Sequence, residues 1–241
     1  MKTKTVYRCM SCMNESSKWS AKCLECGSFG TIEEITVAKP SKAKPGAGQP
    51  VSSAAPVNPL LRLRDVKTGN SDRIVSSLNE FNRVMGGGIV KDSVSIITAK
   101  PGAGKSTLLL QVADDLAAKG YRVLYATGEE SESQIKSRAD RILRNIHENI
   151  WVVPDNSMNN VLGHIASVDP DLIIIDSIQT FTLEEHFPSR AGSPTQTMEC
   201  ANAMVRIAKN PSRPRAVILV GQMNKNEEMA GLRSLEHLVD T

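Results

Sequence analysis

The chain has 241 residues, of which 40% are apolar, 23% charged and only 4% aromatic. This composition excludes wholesale disorder, a collagen-like repeat and a disulfide-stabilised miniprotein, and it suffices for a core of aliphatic side chains. No apolar run approaches the ~20 residues that a membrane-spanning helix needs, and the first residues lack the apolar segment of an export signal. We therefore expect a cytoplasmic protein with no membrane partner.

The net charge of +3 is distributed unevenly along the chain. Residues 1–65 carry ten Lys and Arg against five Asp and Glu, whereas the remaining residues carry nineteen against twenty-one. A basic N-terminal segment weakly favours a polyanionic partner there. Surface lysines also serve solubility, and this alternative stays open.

Two cysteine pairs near the N-terminus have the spacing of a metal site. Cys9 and Cys12 form one C-x2-C pair, and Cys23 and Cys26 form a second. Two such pairs supply the four thiolates of a tetrahedral Zn²⁺ site. Disulfides are the alternative, but a chain without an export signal is expected to meet reducing conditions, which favours zinc. The remaining cysteine, Cys200, is expected to be a small core or surface residue.

Composition divides the chain into three segments. Residues 1–35 contain the cysteine pairs and are predicted to form a zinc ribbon, which the metal would hold folded. Residues 36–59 hold five of the twelve prolines among Lys, Ala, Ser and Gly, a composition typical of an extended linker. Residues 60–241 are predicted to form the main domain.

Within residues 60–241, apolar runs rich in β-branched residues alternate with amphipathic stretches. This alternation is typical of an α/β domain with a mainly parallel sheet and right-handed crossovers. Ligands of such domains bind beyond the carboxyl ends of the strands. The predicted strands are Ser93–Thr98, Arg122–Thr127, Ile150–Val153, Leu172–Asp176 and Ala216–Gly221, and the predicted helices are Gly104–Lys119, Glu132–Ile146, Met158–Val168 and Thr195–Lys209.

A glycine-rich segment between the first predicted strand and helix has the pattern of a phosphate-binding P-loop. Its backbone N–H groups would surround the phosphates of ATP at the helix N-terminus. Lys105 would reach the β- and γ-phosphates, Ser106 would bind Mg²⁺, and Thr107 would contact the α-phosphate side. The pattern normally opens with glycine where this chain has alanine, which is tolerable if the backbone there has a negative φ. The predicted nucleotide-binding residues are Ala99, Lys100, Pro101, Gly102, Ala103, Gly104, Lys105, Ser106, Thr107 and Asp176.

Three of the other predicted strands end in a polar residue or are followed by one. Asp176 ends a strand that we expect next to the P-loop strand, where its carboxylate would hold the water shell of Mg²⁺; helix capping is the alternative. Glu129 is the candidate base for activating water, with Glu130 in reserve. Gln222 would sense the γ-phosphate, or else is an ordinary polar residue at a strand end.

Taken in order, these motifs resemble the bacterial RadA (Sms) DNA-repair ATPases. The resemblance covers essentially the whole chain except the linker. Beside the two cysteine pairs, it is carried by MGGGIV (85–90), PGAGKSTLLLQ (101–111), GEES (128–131), IKSRADRI (135–142), IDSIQT (175–180) and AGLRSLEHLVDT (230–241).

The resemblance implies a RecA-like ATPase core that assembles into homo-oligomeric rings on DNA. Such a protein would bind single-stranded and branched DNA and drive branch migration in recombinational repair, with a recombinase as a further partner. It also supports Glu129 as the base. Loops near Phe181–Pro194 and Met223–Leu232 would contact DNA, and their candidate phosphate contacts are Arg190, Lys225 and Arg233. Ordinary surface cations are the alternative for each of the three.

The sequence departs from the family pattern at several points. Ala99 replaces a glycine, Gln222 stands where the family has histidine, and Met198 stands where we expect arginine. The sequence ends at Thr241, before the family's Lys-Asn-Arg-Phe-Gly motif and its domain resembling the Lon protease. We therefore expect a fragment, a truncated mobile-element copy or a divergent short form.

These departures support a second hypothesis, a non-hydrolysing module that binds nucleotide and DNA and modulates full-length rings. A replicative-helicase or clock-type relative of the same core is a third hypothesis, which the N-terminal ribbon disfavours.

Overall fold

The computed structural model describes residues 3–9, 15–16, 18–24, 27–38, 62–65, 73–186, 189–222 and 233–241. The chain divides into two compact units, Met1–Leu63 and Arg64–Thr241. Most of the segment predicted as a linker lies outside the described residues.

The N-terminal unit contains a three-stranded antiparallel sheet in the order β2-β1-β3. Its strands are β1 (Thr3–Cys9), β2 (Glu15–Ser16) and β3 (Ile32–Ala38). The β1–β3 ladder runs from the Cys9–Ile32 pair to the Thr3–Ala38 pair. Strand β3 therefore includes the first three residues of the predicted linker, 36–38, because pairing with β1 continues to its end.

The second unit is built on a sheet of five parallel strands, which confirms the predicted α/β class. The strands lie in the order β6-β10-β9-β7-β8. A two-stranded antiparallel ladder, β4 with β5, precedes them along the chain. The bounds are β4 (Arg73–Ile74), β5 (Ile89–Val90), β6 (Val94–Ala99), β7 (Val123–Thr127), β8 (Ile150–Val153), β9 (Leu172–Asp176) and β10 (Ala216–Gln222).

The helices begin where the sequence supplies caps. Ser131, Ser157 and Ser193 each accept a hydrogen bond from the backbone N–H three residues later, which satisfies a donor at the helix start. Among the described residues, no helix has the length and apolar character needed to cross a lipid bilayer. The helices are α1 (Asn79–Val84), α2 (Lys105–Ala118), α3 (Glu132–Ile142), α4 (Met158–Val168) and α5 (Pro194–Ala208).

The core lies on both faces of the parallel sheet. Side chains of α2 and α3 pack on one face, around Leu109, Leu116 and Ile135. Side chains of α4 and α5 pack on the other face, around Ile165 and Met204. Because both faces are covered, all residues of β7 and β9 are buried, as expected for strands that read as continuous apolar runs.

Two local expectations were wrong. Strand β10 lies between β6 and β9, since Val217 pairs with Val94 on one side and with Ile173 on the other. The strand that ends at Asp176 is therefore not next to the P-loop strand. Helix α3 ends at Ile142 rather than Ile146, because Leu143 takes an extended conformation. Beyond it, His147 contacts Asp114 of α2, with His147 Nδ1 2.9 Å from Asp114 Oδ1.

A cluster of ion pairs lies at the amino-terminal end of the parallel sheet. Asp169 accepts hydrogen bonds from Arg122 at 2.7 Å, Arg213 at 2.9 Å and Arg215 at 2.8 Å. The hydrogen bond from Arg213 is the largest cause that lowers the pKa of Asp169 below its ordinary value of 3.8. The cluster joins the segments that lead into β7, β9 and β10, far along the strands from the residues at their carboxyl ends.

Replacing Asp169 by Asn should lower the melting temperature at neutral pH, because three arginines would lose their shared carboxylate. A group whose pKa is lowered in the folded state stabilises that state fully at pH values above its unfolded pKa. This stabilisation is lost as the pH falls through the folded pKa. The difference in melting temperature between wild type and Asp169→Asn, measured by thermal unfolding, should thus shrink as the pH drops below 3.8. Asp140→Asn, which removes an exposed pair with Lys136 on α3, is the control and should have little effect at any pH.

Candidate functional site

A cavity of about 340 Å³ lies at the carboxyl ends of the parallel strands. The P-loop forms one wall, and residues that end or follow β7, β9 and β10 complete it. Its lining is mainly polar and contains two cations and three carboxylates. The lining residues are Pro101, Gly102, Gly104, Lys105, Ser106, Thr107, Thr127, Glu129, Glu130, Arg138, Asp176 and Gln222.

The P-loop connects β6 to α2 in the predicted manner. Gly102 and Gly104 have φ values of 79° and 88°, a region that glycine enters without steric cost. Outside glycine, positive φ occurs among the described residues only at Asp92 and Asp169, so Ala99 enters the loop with the tolerable backbone that we expected. The Lys105 ammonium donates to the carbonyls of Ala99 at 2.9 Å and Lys100 at 3.1 Å.

The loop is shaped for an anion. A short turn in which the Ala103 N–H bonds to the Lys100 carbonyl at 3.2 Å leads into the first turn of α2. Backbone N–H groups at a helix start have no partner within the helix and favour negative charge. Lys105, from the same turn, adds a full positive charge beside them.

Asp176, at the end of β9, is held by a residue that the sequence did not reveal. The hydroxyl of Tyr125 on β7 donates to Asp176 Oδ2 at 2.5 Å. Burial, followed by the charge of Asp176, raises the pKa of Tyr125 far above its ordinary value, so the phenol remains a donor. This bond fixes one oxygen of the carboxylate. The peptide bond that follows Asp176 is cis.

Glu129 is anchored from two neighbouring strands. Ser177, just after β9, donates to Glu129 Oε1 at 2.6 Å. Gln222, at the end of β10, donates from Nε2 to Oε1 at 2.8 Å and to Oε2 at 3.0 Å. Gln179 in turn fixes Gln222, because its side-chain amide donates to the Gln222 carbonyl at 3.1 Å and accepts from the Gln222 N–H at 3.3 Å.

The two consecutive carboxylates have different partners. Glu130 forms a short ion pair with Arg138 of α3, whereas the bonds to Glu129 come from uncharged groups. Glu129 can accept a proton without breaking an ion pair, which supports its choice as the base over Glu130.

The structure thus brings together most of the residues predicted for the site. Lys105, Ser106, Thr107, Asp176, Glu129 and Gln222 line one cavity with Pro101, Gly102 and Gly104, while the carbonyls of Ala99 and Lys100 contact Lys105. Sequence reasoning missed Tyr125, Ser177, Gln179 and Arg138. The last three fall in the motifs IDSIQT and IKSRADRI, which were noted only as marks of resemblance.

The site fits a magnesium-bound nucleoside triphosphate. Mg²⁺ prefers oxygen ligands and retains several waters, and the chain offers the Ser106 hydroxyl and the carboxylate of Asp176. The P-loop amides and Lys105 suit the phosphates.

Only one cysteine of each pair lies among the residues that the structure describes. Cys9 and Cys23 are buried, and Cys23 lies in a turn where its carbonyl accepts from the Gly27 N–H at 2.9 Å. Cys12 and Cys26 lie outside the described residues. No group of three or more His, Cys, Asp or Glu suited to a metal occurs in the part of the chain that was searched, so the zinc site stays a prediction. Cys200 is buried in α5, as a core residue.

The three candidate DNA contacts are described unequally. Arg190 is exposed just before α5. The segment before it is held by Gln196, a fully buried side chain that bonds to the backbone of Leu183, His186 and Ser189. Lys225 and the loop 223–232 lie outside the described residues, as does the side chain of Arg233.

Fold and site together define a P-loop nucleotide-binding protein with a parallel α/β core. The model of the AAA domain family matches residues 57–228, so the chain belongs to this family.

The resemblance to the RadA DNA-repair proteins is also confirmed. The chain is 37% identical over 241 residues to DNA repair protein RadA of Mycolicibacterium smegmatis, covering 99% of this chain and 51% of the relative. It is 38% identical to RadA of Bacillus subtilis, with 100% and 51% covered, and 41% identical to RadA of Mycobacterium tuberculosis H37Rv, with 97% and 47% covered. The chain spans about half the length of these relatives.

Gly128 should be intolerant of substitution, because a Cβ there would lie 2.4 Å from Thr180 Oγ1 and 2.9 Å from Thr180 Cβ. Thr180 cannot yield easily, since its hydroxyl bonds to the Ser177 carbonyl at 2.8 Å. We expect Gly128→Ala to lower the free energy of unfolding by roughly 1–3 kcal/mol and to displace Glu129.

Chemical denaturation measures this loss, and Gly163→Ala is the matched control. Nothing lies within 4 Å of a Cβ at Gly163 in α4, so that variant should be neutral or more stable by roughly 0.5–1 kcal/mol. Equal stability of Gly128→Ala and wild type would show that the close approach of Thr180 does not constrain the site.

Proposed function

We propose that this chain is a DNA-dependent ATP hydrolase that acts in recombinational DNA repair. The observation that carries the proposal is the single cavity in which the P-loop, Asp176 and Glu129 meet. The relatives that are named DNA repair proteins support the biological setting.

In the proposed reaction, water attacks the γ-phosphorus and ADP leaves. Backbone N–H groups of the P-loop and Lys105 would hold the phosphates, and Ser106 with Asp176 would hold Mg²⁺, whose charge would offset that of the phosphate oxygens. Glu129 orients the water and accepts its proton. For this, Oε2 of Glu129, which accepts one bond from Gln222 at 3.0 Å, would accept a second bond from the water. Gln222 would thereby sense whether the γ-phosphate is present and transmit this to the residues that follow β10.

The proposed nucleic-acid partners are single-stranded and branched DNA. Arg190 is exposed and lies beyond the same end of the sheet as the cavity, after Ile178–Thr180. Together with Lys225 and Arg233 it would contact phosphates, which is a salt-dependent and sequence-independent mode. Assembly into a homo-oligomeric ring, cooperation with a recombinase and branch migration complete the proposal.

We further propose that Cys9, Cys12, Cys23 and Cys26 bind one Zn²⁺ in the N-terminal unit. The burial of Cys9 and Cys23 and the tight turn at Cys23 support it. Thiolates held in such turns are suited to a structural zinc ion.

The second candidate function is nucleotide and DNA binding without turnover. It is favoured by the hydrogen bonds of Glu129, whose two oxygens already accept from Ser177 and Gln222. If these bonds persist with nucleotide bound and hold the carboxylate away from the γ-phosphate, Glu129 would not orient water.

The two candidates are separated by measuring phosphate release with and without single-stranded DNA. For a hydrolase, the rate should rise on adding DNA, and Glu129→Gln should bind ATP but hydrolyse it roughly a hundredfold or more slowly, since a positioned base contributes that much. Lys105→Ala should weaken ATP binding itself. Glu132→Gln, an exposed change in the first turn of α3, is the control and should retain the wild-type rate.

Wild-type nucleotide binding with no phosphate release, in either the presence or the absence of DNA, would instead support the binding module. A Glu129→Gln variant that hydrolyses ATP at the wild-type rate would refute Glu129 as the base.

The zinc proposal predicts about one zinc ion per chain, because four thiolates complete one tetrahedral site. Elemental analysis of the purified protein measures this content. Cys12→Ser should lose the metal, whereas Cys200→Ala should retain it, since Cys200 is buried in α5 of the other unit. A zinc-free wild-type protein with intact secondary structure would refute the proposal.

A further inference from the structure

Arg138 extends from the second turn of α3 into the nucleotide cavity. It lines the cavity together with Lys105, and its side chain is 21% exposed. One nitrogen, Nη2, forms the ion pair with Glu130. None of the roles assigned above uses this second cation.

The other terminal nitrogen of Arg138 lacks a partner. Nη1 is buried and makes no hydrogen bond, although a guanidinium remains charged at any physiological pH. A buried donor without an acceptor is costly and therefore uncommon in folded proteins. Arg215 also has a buried nitrogen without a partner, Nε, but both of its terminal nitrogens are bonded, to Arg213 and Asp169.

Arg138 lines the same cavity as Ser106 and Asp176, the two residues suited to Mg²⁺.

Helix α3 and Glu130 hold the guanidinium in place. The helix begins in a capping box between Ser131 and Gln134 and buries Ile135 and Ala139, so its second turn is fixed to the core. Glu130 pairs with one terminal nitrogen of the planar fork, and the other terminal nitrogen has no hydrogen-bond partner. Forks of this kind suit phosphate oxygens.

The charged residues that line the cavity do not by themselves balance the charge of a bound triphosphate. Glu130 is neutralised by Arg138, which leaves Glu129 and Asp176 against Lys105 alone among the charged lining residues. A nucleoside triphosphate adds about four negative charges and Mg²⁺ removes two, so a further donor at the γ-phosphate would offset repulsion from Glu129.

We propose that the guanidinium of Arg138 donates to an oxygen of the terminal phosphate of a bound nucleoside triphosphate, with Glu130 as the residue that positions it. The inference rests on the proposed function, because it assumes that the P-loop holds the phosphates. It predicts that Arg138 distinguishes a triphosphate from a diphosphate, which has no phosphoryl group at that position.

The test compares the binding of a non-hydrolysable ATP analogue and of ADP, both with Mg²⁺, by equilibrium titration. Arg138→Gln should weaken binding of the analogue roughly tenfold or more, as expected for a lost charge-assisted hydrogen bond, and should change ADP binding less than about twofold. Glu130→Gln, which retains the guanidinium, should weaken the analogue less than Arg138→Gln does. Arg141→Gln, an exposed change on the same helix, is the control and should leave both affinities unchanged.

The alternative is a purely structural ion pair that shapes the turn at residues 128–131. In that case Arg138→Gln and Glu130→Gln would impair both nucleotides alike, and this result, or no effect on either nucleotide, would overturn the inference. A wild-type protein that binds neither nucleotide would overturn the proposed function, and this inference with it. Thermal unfolding of each variant identifies any loss that comes from misfolding, and the ratio of the two affinities is insensitive to it.

Discussion

The register of the parallel strands is the constraint on which the site depends. Thr127 pairs with Asp176, Val220 pairs with Asp176 from the other side, and Gln222 pairs with Ala99. These pairs bring the ends of β7, β9, β10 and β6 to one edge of the sheet. A shift of one residue in any of them would turn its side chains to the opposite face. Backbone hydrogen bonding between buried strands thus fixes the positions of Asp176, the candidate base and the P-loop.

Side-chain hydrogen bonds refine what the strands establish. Tyr125 orients Asp176, and Gln179 orients Gln222, which in turn holds Glu129. Glu130 is drawn away from Glu129 by Arg138. Two adjacent carboxylates thereby acquire separate environments, so that one is suited to proton transfer and the other to holding a cation. Side-chain hydrogen-bond networks of this kind are coupled, and a change at one member is expected to alter its neighbours.

The spacing of apolar residues and the turn and capping residues between them made the main domain predictable from sequence. The apolar runs of β8 and β9 and the helix α4 have the predicted bounds, because each is bounded by strong turn or capping signals. The neighbours of β6 were not predictable, since strand order depends on how crossovers pack and not on any local pattern. Tyr125 was missed because, inside an apolar strand, a tyrosine is indistinguishable from a core residue. Arg138 was missed because a lone cation on an amphipathic helix is usually solvated. Zinc binding, Lys225 and Arg233 stay predictions.

The most direct test of this account is a crystal structure of the protein with Mg²⁺ and a non-hydrolysable ATP analogue. The account predicts the triphosphate on the backbone N–H groups of residues 102–107, Mg²⁺ at Ser106 with Asp176 in its water shell, and a water between Glu129 and the γ-phosphorus. A folded protein that binds the analogue with its phosphates away from the P-loop would contradict it.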